Sequence, residues 1–183
     1  TDVDENLYTP RFSEFVYQGS VPENKEKGTS VLQVLAMDND KFNDKASPTD
    51  YKVVYSIRNG TGLGLFTIDD TGVISTNEVL DRESQDHYWL TVYAQDEGAV
   101  PRSAFVDVYV KVTDVNDNVP QSMRPVYYPE VMENSEKDTS VILVQASDED
   151  HPESNRLKFE ITGGNPQGFF VIDPFTGLIT TNS

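Results

Sequence analysis

Carboxylate side chains carry most of the chemistry that this sequence offers. Asp and Glu total 31 of the 183 residues against 14 Lys and Arg, so the formal net charge is −17. Such a charge argues against nucleic acid or an anionic membrane as a partner and points toward cations. Several of the acids lie just outside apolar runs, as Glu23 does before one run and Asp96 does after another.

Other carboxylates form short motifs that suit a calcium ion. These motifs are Leu80-Asp81-Arg82-Glu83, Asp114-Val115-Asn116-Asp117-Asn118, Asp38-x-Asp40 and Asp148-x-Asp150. Ca²⁺ takes about six to eight hard oxygen ligands, including backbone carbonyls. An EF-hand loop does not fit. Counted from Asp148, its sixth and twelfth positions are Glu153 and Phe159 instead of Gly and Glu, and the count from Asp38 fails in the same way.

Other site chemistries are poorly represented. The chain has no cysteine, which excludes disulfides and thiolate metal sites. His87 and His151 stand far apart in the sequence without a catalytic or zinc-binding context. Carboxylates therefore remain the main candidates for a site.

The chain repeats itself, which bears on where these acids lie. Val21-Pro22-Glu23-Asn24 recurs as Val131-Met132-Glu133-Asn134 at an offset of 110 (133 minus 23), and Asp38-x-Asp40 recurs as Asp148-x-Asp150 at the same offset. The Thr71-Gly72 pair recurs at 176–177, where each glycine suits a tight turn with positive φ. The period corresponds to one small domain with its connector.

The first copy reads as strands, because apolar residues alternate with polar ones and no stretch has a convincing helical period. Strands are expected to begin near Phe12, Val31, Lys52, Phe66, Val73, Tyr88 and Ala104. About seven short strands predict an antiparallel β-sandwich of roughly 100 residues. The second copy stops at Ser183 after five such strands. Because this would expose a core and a sheet edge, we expect the parent chain to continue.

On these motifs the chain resembles tandem cadherin repeats. Pro22-Glu23-Asn24 and Ala94-x-Asp96 complete the family's set, which runs through both copies in the family's order. The resemblance implies an all-β fold of tandem seven-strand Greek-key β-sandwiches, immunoglobulin-like, with the second copy incomplete. It also implies four segments: the end of a preceding linker at 1–6, a repeat at 7–112, a calcium-binding linker at 113–118 and a partial repeat at 119–183.

The resemblance further implies three Ca²⁺ ions in each inter-repeat linker. The first would be held by Glu23, Asp81, Glu83 and Asp117. The second would be held by Glu23, Glu83, Asp117, Asp150 and the Val115 carbonyl. The third would be held by Asn116, the Asn118 carbonyl, Asp148, Asp150 and the Asn155 carbonyl.

The N-terminal cluster departs from the family pattern. Asp4-Glu5-Asn6 stands where the family usually has Asn-Asp-Asn, Phe42 replaces a frequent glycine, and an insertion follows at 43–50. With no preceding repeat in the chain, this cluster offers only the downstream part of a calcium site, and we expect at most one ion there. Its candidate ligands are Asp4, Asn6, Asp38, Asp40 and Asp96.

The resemblance implies adhesion without catalysis. The chain would be part of the extracellular ectodomain of a membrane-anchored cell-surface protein, with a Fat-like or other long cadherin favoured because the chain begins inside a linker. Its partners would be other cadherin ectodomains, homophilic or heterophilic, and neither nucleic acid nor a small-molecule substrate.

Two alternatives remain open. A glycosidase would need a single asymmetric pair of carboxylates, whereas these acids recur at domain ends. A calcium-stabilised carbohydrate-binding or bacterial adhesin β-sandwich would be favoured by binding to a glycan array.

Three further residues carry separate expectations. Asn59-Gly60-Thr61 fits the N-glycosylation rule on a turn. Trp89, the sole tryptophan, lies in mid-strand on the alternate face from Leu90, so we expect a surface or contact residue and not the N-terminal anchor that strand-swapping cadherins exchange. Arg82, flanked by two acids, is interpreted as a surface ion pair worth about 0 to 1 kcal/mol.

Overall fold

The computed structural model describes residues 6–150 and 157–182 of the chain. They fall into two compact units, of which the first ends at Val115 and the second begins at Asn116. Nearly all regular secondary structure in the described residues is β-strand, as the sequence predicts.

The first unit is built from strands in the predicted order. They are β1 (Arg11–Phe12), β2 (Val16–Pro22), β3 (Ser30–Gln33), β4 (Ala36–Met37), β5 (Val53–Asn59), β6 (Phe66–Ile68), β7 (Val73–Thr76), β8 (His87–Asp96) and β9 (Ser103–Thr113). One sheet has the order β2-β9-β8-β5 and another the order β3-β7-β6, while β1 pairs with β4. The prediction of a Greek-key sandwich is confirmed.

The core of the first unit is formed by the apolar set of each alternating strand. In β8 and β9 the inward residues are almost completely buried, and exposed or half-buried residues fall between them. The buried hydrophobic cluster consists of Val21, Val34, Phe66, Ile74, Leu80, Tyr88, Leu90, Val92, Val106, Val108, Val110 and Val112. Because this cluster lies on one face of each strand, its residues recur with a period of two in the sequence.

The first predicted strand is divided in the structure. β1 runs antiparallel to β4, whereas β2 runs parallel to β9, with Val16 opposite Asp107 and Pro22 opposite Thr113. The single strand expected near Phe12 is therefore wrong in detail. The chain changes sheet between β1 and β2, and an alternation pattern alone does not specify the partner strand.

Two single-turn helices separate β4 from β5. A 3-10 helix spans Asn39–Phe42, and its preceding residue Asp38 accepts a hydrogen bond from the Asp40 amide at 2.8 Å. An α-helix, α1, spans Pro48–Tyr51, where the Ser47 amide donates to Asp50 Oδ2 at 2.8 Å. Helices this short have no apolar period, so the alternation of apolar residues did not predict them.

The second unit contains five strands in its described residues, as many as predicted, but none of them is the expected counterpart of β5. Its described strands are β10 (Gln121–Ser122), β11 (Ser140–Leu143), β12 (Ala146–Ser147), β13 (Phe170–Ile172) and β14 (Leu178–Thr181). They form the sheets β10-β12 and β11-β14-β13, but residues 157–162, which match β5, form no strand. In the first unit β5 pairs with β8, and the sequence contains no second counterpart of β8. An alternating segment without a neighbouring strand gains no ladder of hydrogen bonds.

The Thr-Gly turns occur as predicted in both units. Gly72 has a φ of 82° and Gly177 has a φ of 74°. Each turn is hydrogen-bonded to a neighbouring segment, since the Val34 amide donates to the Gly72 carbonyl and the Val144 amide donates to the Gly177 carbonyl, both at 2.9 Å. Within the described residues, the helices are too short and too polar to cross a lipid bilayer.

Candidate metal centre

Glu23 is a buried carboxylate at the end of β2, with only 1% of its surface exposed. Its Oε1 accepts a hydrogen bond from the Val115 amide and its Oε2 accepts one from the Arg82 amide, both at 2.8 Å. The next residue, Asn24, takes a φ of 60° and turns the chain away from the strand. A single side chain thus ties the segment after β9 to the segment that carries Asp81 and Glu83.

Asp81 and Glu83 have opposite electrostatic environments. Asp81 is exposed, and the Ser84 hydroxyl, which donates to it at 2.7 Å, lowers its pKa. Burial raises the pKa of Glu83, and the negative charge of Glu23 raises it further. Carboxylate oxygens of Glu23 and Glu83 lie within 4.8 Å of each other. The unit therefore assembles two partly repelling acids where a cation would be favoured.

Arg82 is more deeply placed than a surface ion pair. Only 15% of its side chain is exposed, and its Nε donates to Asp114 Oδ1 at 2.7 Å. It also forms an ion pair with Glu83 and lies 3.9 Å from Glu23 Oε1. The sequence interpretation of Arg82 is thus corrected. The guanidinium neutralises Asp114, an acid that was assigned no ligand role, and holds the surrounding carboxylates in place.

Asp148 and Asp150 form a hydrogen-bonded Asp-x-Asp motif in the second unit. Asp150 is 4% exposed and accepts hydrogen bonds from the Asn118 amide at 3.2 Å and from Asn118 Nδ2 at 2.8 Å. Its own amide donates to Asp148 Oδ1 at 2.9 Å. Asp148 Oδ2 is buried without a hydrogen-bond partner in residues 6–150 and 157–182.

The first unit repeats this geometry with Asp38 and Asp40. Asp40 is completely buried and accepts hydrogen bonds from the amides of Leu7 and Tyr8 at 3.1 and 2.8 Å. The Asp40 amide donates to Asp38 Oδ1. Burial raises the pKa of Asp38, and the charges of Asp40 and Asp96 raise it further. The Asp-x-Asp motif therefore folds in the same way in both copies.

Asn6 and Asp96, two candidate ligands of the N-terminal cluster, lie next to each other. Asn6 Nδ2 donates to Asp96 Oδ1 at 2.9 Å, and the amides of Gly98 and Arg102 donate to the same carboxylate at 3.1 Å. Asp96 is 1% exposed. The structure thus brings Asn6 together with Asp96. The candidate ligands Asp4 and Asn155 lie outside the described residues.

Asp50 lies in the same region, and the sequence did not indicate it as a candidate ligand. It is completely buried, and a Cβ added to Gly98 would lie 2.7 Å from Asp50 Oδ1 and 2.4 Å from Asn6 Nδ2. Asp50 Oδ1 has no hydrogen-bond partner within the described parts of the chain. The 43–50 insertion has no matching spacing in the second copy, and the only sequence signal was an acid following Ser-Pro-Thr, which is typical of a helix start.

The donor set fits a calcium ion. The carboxylates and Asn6 offer oxygen atoms, and the buried atoms Asp38 Oδ2, Asp50 Oδ1, Asp148 Oδ2 and Asn6 Oδ1 lack hydrogen-bond partners in the described residues. An unpaired buried polar atom costs about 1 to 3 kcal/mol, and more when it is charged. A hard cation that prefers oxygen ligands would offset this cost.

The predicted glycosylation site and the tryptophan lie on strands β5 and β8 of the four-stranded sheet. Asn59 is exposed at the end of β5, opposite Thr91 of β8. Trp89, the third residue of β8, is 42% exposed, which agrees with the expectation of a surface residue.

Comparison with known sequences finds similarity along the whole chain. The model of the cadherin domain family matches residues 17–113 and 127–183. Protocadherin Fat 1 from Homo sapiens is 53% identical over 183 residues, which cover 100% of this chain and 4% of that protein. The Fat-like cadherin-related tumor suppressor homolog from Drosophila melanogaster is 43% identical over 180 residues, 98% of this chain and again 4% of the relative. The chain spans only a small part of these relatives.

Comparison with solved structures also finds similarity along nearly the whole chain. The protocadherin gammaB7 EC3-6 cis-dimer structure superposes with a TM-score of 0.85 at 28% identity, covering 99% of this chain and 44% of that one. Mouse cadherin-23 EC22-24 superposes with a TM-score of 0.81 at 35% identity, covering 98% of this chain and 56% of that one.

Proposed function

The chain belongs to the cadherin family, and from this premise we propose that it is a calcium-stiffened segment of an adhesive ectodomain. In this proposal Ca²⁺ ions join the carboxylates of the first unit to those of the second and fix the connector between the two repeats. The stiffened array then presents its surfaces to other cadherin ectodomains, homophilic or heterophilic. The supporting observation is that both units bury carboxylates in matching Asp-x-Asp geometry, and that some of these oxygens have no hydrogen-bond partner among residues 6–150 and 157–182.

The proposed ligands are those implied by the resemblance, divided between the units. Glu23, Asp81, Glu83 and the Val115 carbonyl come from the first unit. Asn116, Asp117, Asn118, Asp148, Asp150 and the Asn155 carbonyl come from the second. Glu23 and Asp150 support the assignment best, because each is almost completely buried and anchored by backbone amides. A buried carboxylate held in this way is pre-organised for a cation.

The N-terminal cluster would hold at most one further ion. Its ligands would be Asp4, Asn6, Asp38, Asp40 and Asp96, and Asp50 joins the set because its Oδ1 has no hydrogen-bond partner in the part of the chain that the structure describes. The donors come from one repeat only, so we expect weaker binding here than at the connector.

The setting proposed for the parent protein is the cell surface, with this segment outside the cell and no catalytic activity. Extracellular calcium modules bind with dissociation constants of about 10⁻⁴ to 10⁻³ M. The proposal therefore requires binding in this range.

Calcium titration monitored by calorimetry and thermal melting tests the proposal. Calcium should raise the melting temperature, since a ligand at about 100 times its dissociation constant adds about 2.7 kcal/mol to the free energy of unfolding. Glu83→Gln should reduce this gain. Glu14→Gln, which changes an exposed acid in the β1–β2 connection, should leave it unchanged.

Three results would count against the proposal. A melting temperature independent of calcium would exclude the metal role, and equal losses in the two variants would exclude the assigned ligands. Selective binding to a glycan array in calcium would favour a carbohydrate-binding sandwich instead.

A further inference from the structure

The outer face of the four-stranded sheet carries three neighbouring ring side chains, of which His87 and Trp89 are exposed and Tyr109 is half-buried. Trp89 of β8 lies opposite Tyr109 of β9, with ring centroids 5.1 Å apart at 59°. His87 stacks on Tyr109 with centroids 5.6 Å apart. We refer to His87, Trp89 and Tyr109 as the aromatic platform. Exposed aromatic surface of this kind usually marks a contact.

Asn59 lies on the same face as the aromatic platform. It is paired with Thr91, and the register shift between Ile57 and Asn59 brings it to the outer side. Thr91 and Trp89 are two residues apart on β8, so their side chains share this face. Side chains opposite each other in an antiparallel pair have Cβ atoms about 4.5 to 5.5 Å apart, and diagonal neighbours lie about 7 to 8 Å apart. Trp89 is such a diagonal neighbour of Asn59.

The other two residues of the Asn59-Gly60-Thr61 sequon are fixed against Trp89. The Trp89 amide donates to Thr61 Oγ1 at 3.0 Å, and its carbonyl accepts a hydrogen bond from the Gly62 amide at 3.2 Å. Gly60 has a φ of 116°, and a Cβ there would lie 2.1 Å from the Trp89 carbonyl oxygen. The glycine therefore allows the turn to close directly on the strand that carries the platform.

We propose that Asn59 carries an N-linked glycan whose first sugars pack on the aromatic platform. A lipid pyrophosphate-linked oligosaccharide is the donor. Asn59 Nδ2 forms a bond to the anomeric carbon of the first N-acetylglucosamine and loses a proton, and the lipid pyrophosphate leaves. The C–H face of a pyranose ring then covers Trp89, and its hydroxyl groups remain near the polar side chains of Asp107 and Lys111 on β9.

A tethered glycan is favoured over a second copy of the chain as the occupant of the platform. The covalent link keeps the sugar beside Trp89 at a high effective concentration, whereas a second copy must be recruited from solution. The proposal rests on the extracellular setting of the proposed function, because the glycan is added in the secretory pathway. It does not depend on calcium.

The site of modification is tested by secreting the chain from eukaryotic cells and measuring its mass before and after treatment with a peptide N-glycosidase. Asn59 is the only Asn-x-Ser/Thr sequon in the sequence, so the assignment is unambiguous. Asn59→Gln should abolish the mass difference. A wild-type peptide spanning Asn59 without sugar would overturn the proposal.

Packing on the platform is tested by the fluorescence of Trp89, which is the sole tryptophan. Acrylamide should quench Trp89 less in the glycosylated chain, and also in a chain trimmed by an endoglycosidase to one N-acetylglucosamine, than in the chain with no sugar. The first sugar should also shift the unfolding equilibrium by about two- to tenfold, the size of one aromatic contact.

Matched variants distinguish packing from a general crowding effect. Tyr109→Ser should reduce the shielding of Trp89 by the glycan. Phe105→Ser, which removes an exposed ring from the same strand and face but outside the platform, should retain it. Equal quenching with and without sugar would overturn the packing, and so would shielding of Trp89 that depends on protein concentration, since that result would assign the face to a second copy.

Discussion

The two oxygen atoms of a buried carboxylate in this chain can have different environments. In Asp38 and Asp148 one oxygen accepts a hydrogen bond from the amide two residues on, while the second is buried without a hydrogen-bond partner in the described residues. The first oxygen fixes the side chain and the second supplies charge. This arrangement lowers the entropic cost of binding a cation, because the ligands are already positioned.

Asp50→Asn tests whether the insertion contributes a ligand. Asn can keep the hydrogen bond from the Ser47 amide but removes the charge at the unpartnered oxygen. In calcium we expect a smaller rise in melting temperature than in the wild type. In chelator the variant should be neutral or slightly stabilised, because an uncompensated buried charge is lost.

Asp44→Asn is the matched control for this experiment, since Asp44 is an exposed acid in the same insertion. It should respond to calcium as the wild type does. If Asp50→Asn behaves like Asp44→Asn, the carboxylate of Asp50 only caps the helix.

Asp69 offers a prediction about pH that is separate from the metal site. The Thr71 hydroxyl, which donates to Asp69 at 2.7 Å, and the Val73 amide lower the pKa of Asp69 below its ordinary value of 3.8. A depressed carboxyl pKa contributes stability above the ordinary value, and this stability is lost as the pH falls through the folded pKa. The loss should therefore occur below pH 3.8.

Thr71→Val provides the test, with the titration of the Asp69 carboxyl followed by NMR. Removal of the hydroxyl should move the pKa upward toward 3.8. Asp173, whose pKa is lowered by amides of Thr176 and Phe175, should not change in the same variant. An unchanged Asp69 would show that the backbone amides alone set its pKa.

At the scale of elements, the sequence predicted what each strand contributes locally but not what each strand pairs with. The buried set of β8 and β9 was legible because inward residues alternate with outward ones. The parallel pairing of β2 with β9 was not, since it depends on a strand about 90 residues away in the chain (107 minus 16). Residues 157–162 form no strand because the sequence contains no second counterpart of β8 to pair with them.

The sequence likewise predicted some residues of the candidate site and not others. Residues that recur with the repeat, such as Glu23 and Asp150, were found from their motifs, and the structure buries both. Asp50 and the Arg82–Asp114 ion pair were not found, because an insertion has no repeat spacing and an ion pair depends on folded proximity.

The turn at Gly72 supplies a prediction at the scale of elements. An added Cβ would lie 2.1 Å from the Val34 carbonyl oxygen, and the positive φ would strain any other residue. Gly28 has a similar φ of 89° but no atom within 4 Å of an added Cβ. Gly28→Ala should cost about 1 to 3 kcal/mol of unfolding free energy from backbone strain alone. Gly72→Ala should cost more, because the Val34–Gly72 hydrogen bond must also move.

Urea denaturation of the two variants measures this difference directly. Because both substitutions remove a glycine with positive φ, their difference isolates the steric contact with Val34. Equal losses of stability would mean that the β3–β4 segment relaxes to accommodate the methyl group.

At the scale of the whole molecule, the proposed function makes charge decide whether the two repeats can be held together. The proposed connector ligands Glu23, Asp81, Glu83, Asp117, Asp148 and Asp150 carry six negative charges, and the three implied Ca²⁺ ions would carry six positive charges. Arg82 and Asp114 already neutralise each other. The loaded connector would therefore be close to neutral within a chain of net charge −17.

Without metal, the same acids would oppose assembly of the proposed connector. Two carboxylates about 5 Å apart repel by roughly 3 kcal/mol at an effective dielectric of about 20. Several such pairs together rival the whole stability of a domain, which is about 5 to 15 kcal/mol. We therefore expect a flexible connector in chelator and a stiff one in calcium.

Asp117→Ala is the sharpest probe of this joint, because the resemblance implies that Asp117 bridges two ions. The variant should bind calcium more weakly and melt at a lower temperature in calcium. In chelator it should be neutral or slightly stabilised, since a repelling charge has been removed. Small-angle scattering of the wild type should show a narrower distribution of dimensions in millimolar calcium than in chelator, and Asp117→Ala should need more calcium for the same change. If the dimensions of the wild type are the same in both conditions, calcium does not stiffen the connector, even where it stabilises each repeat.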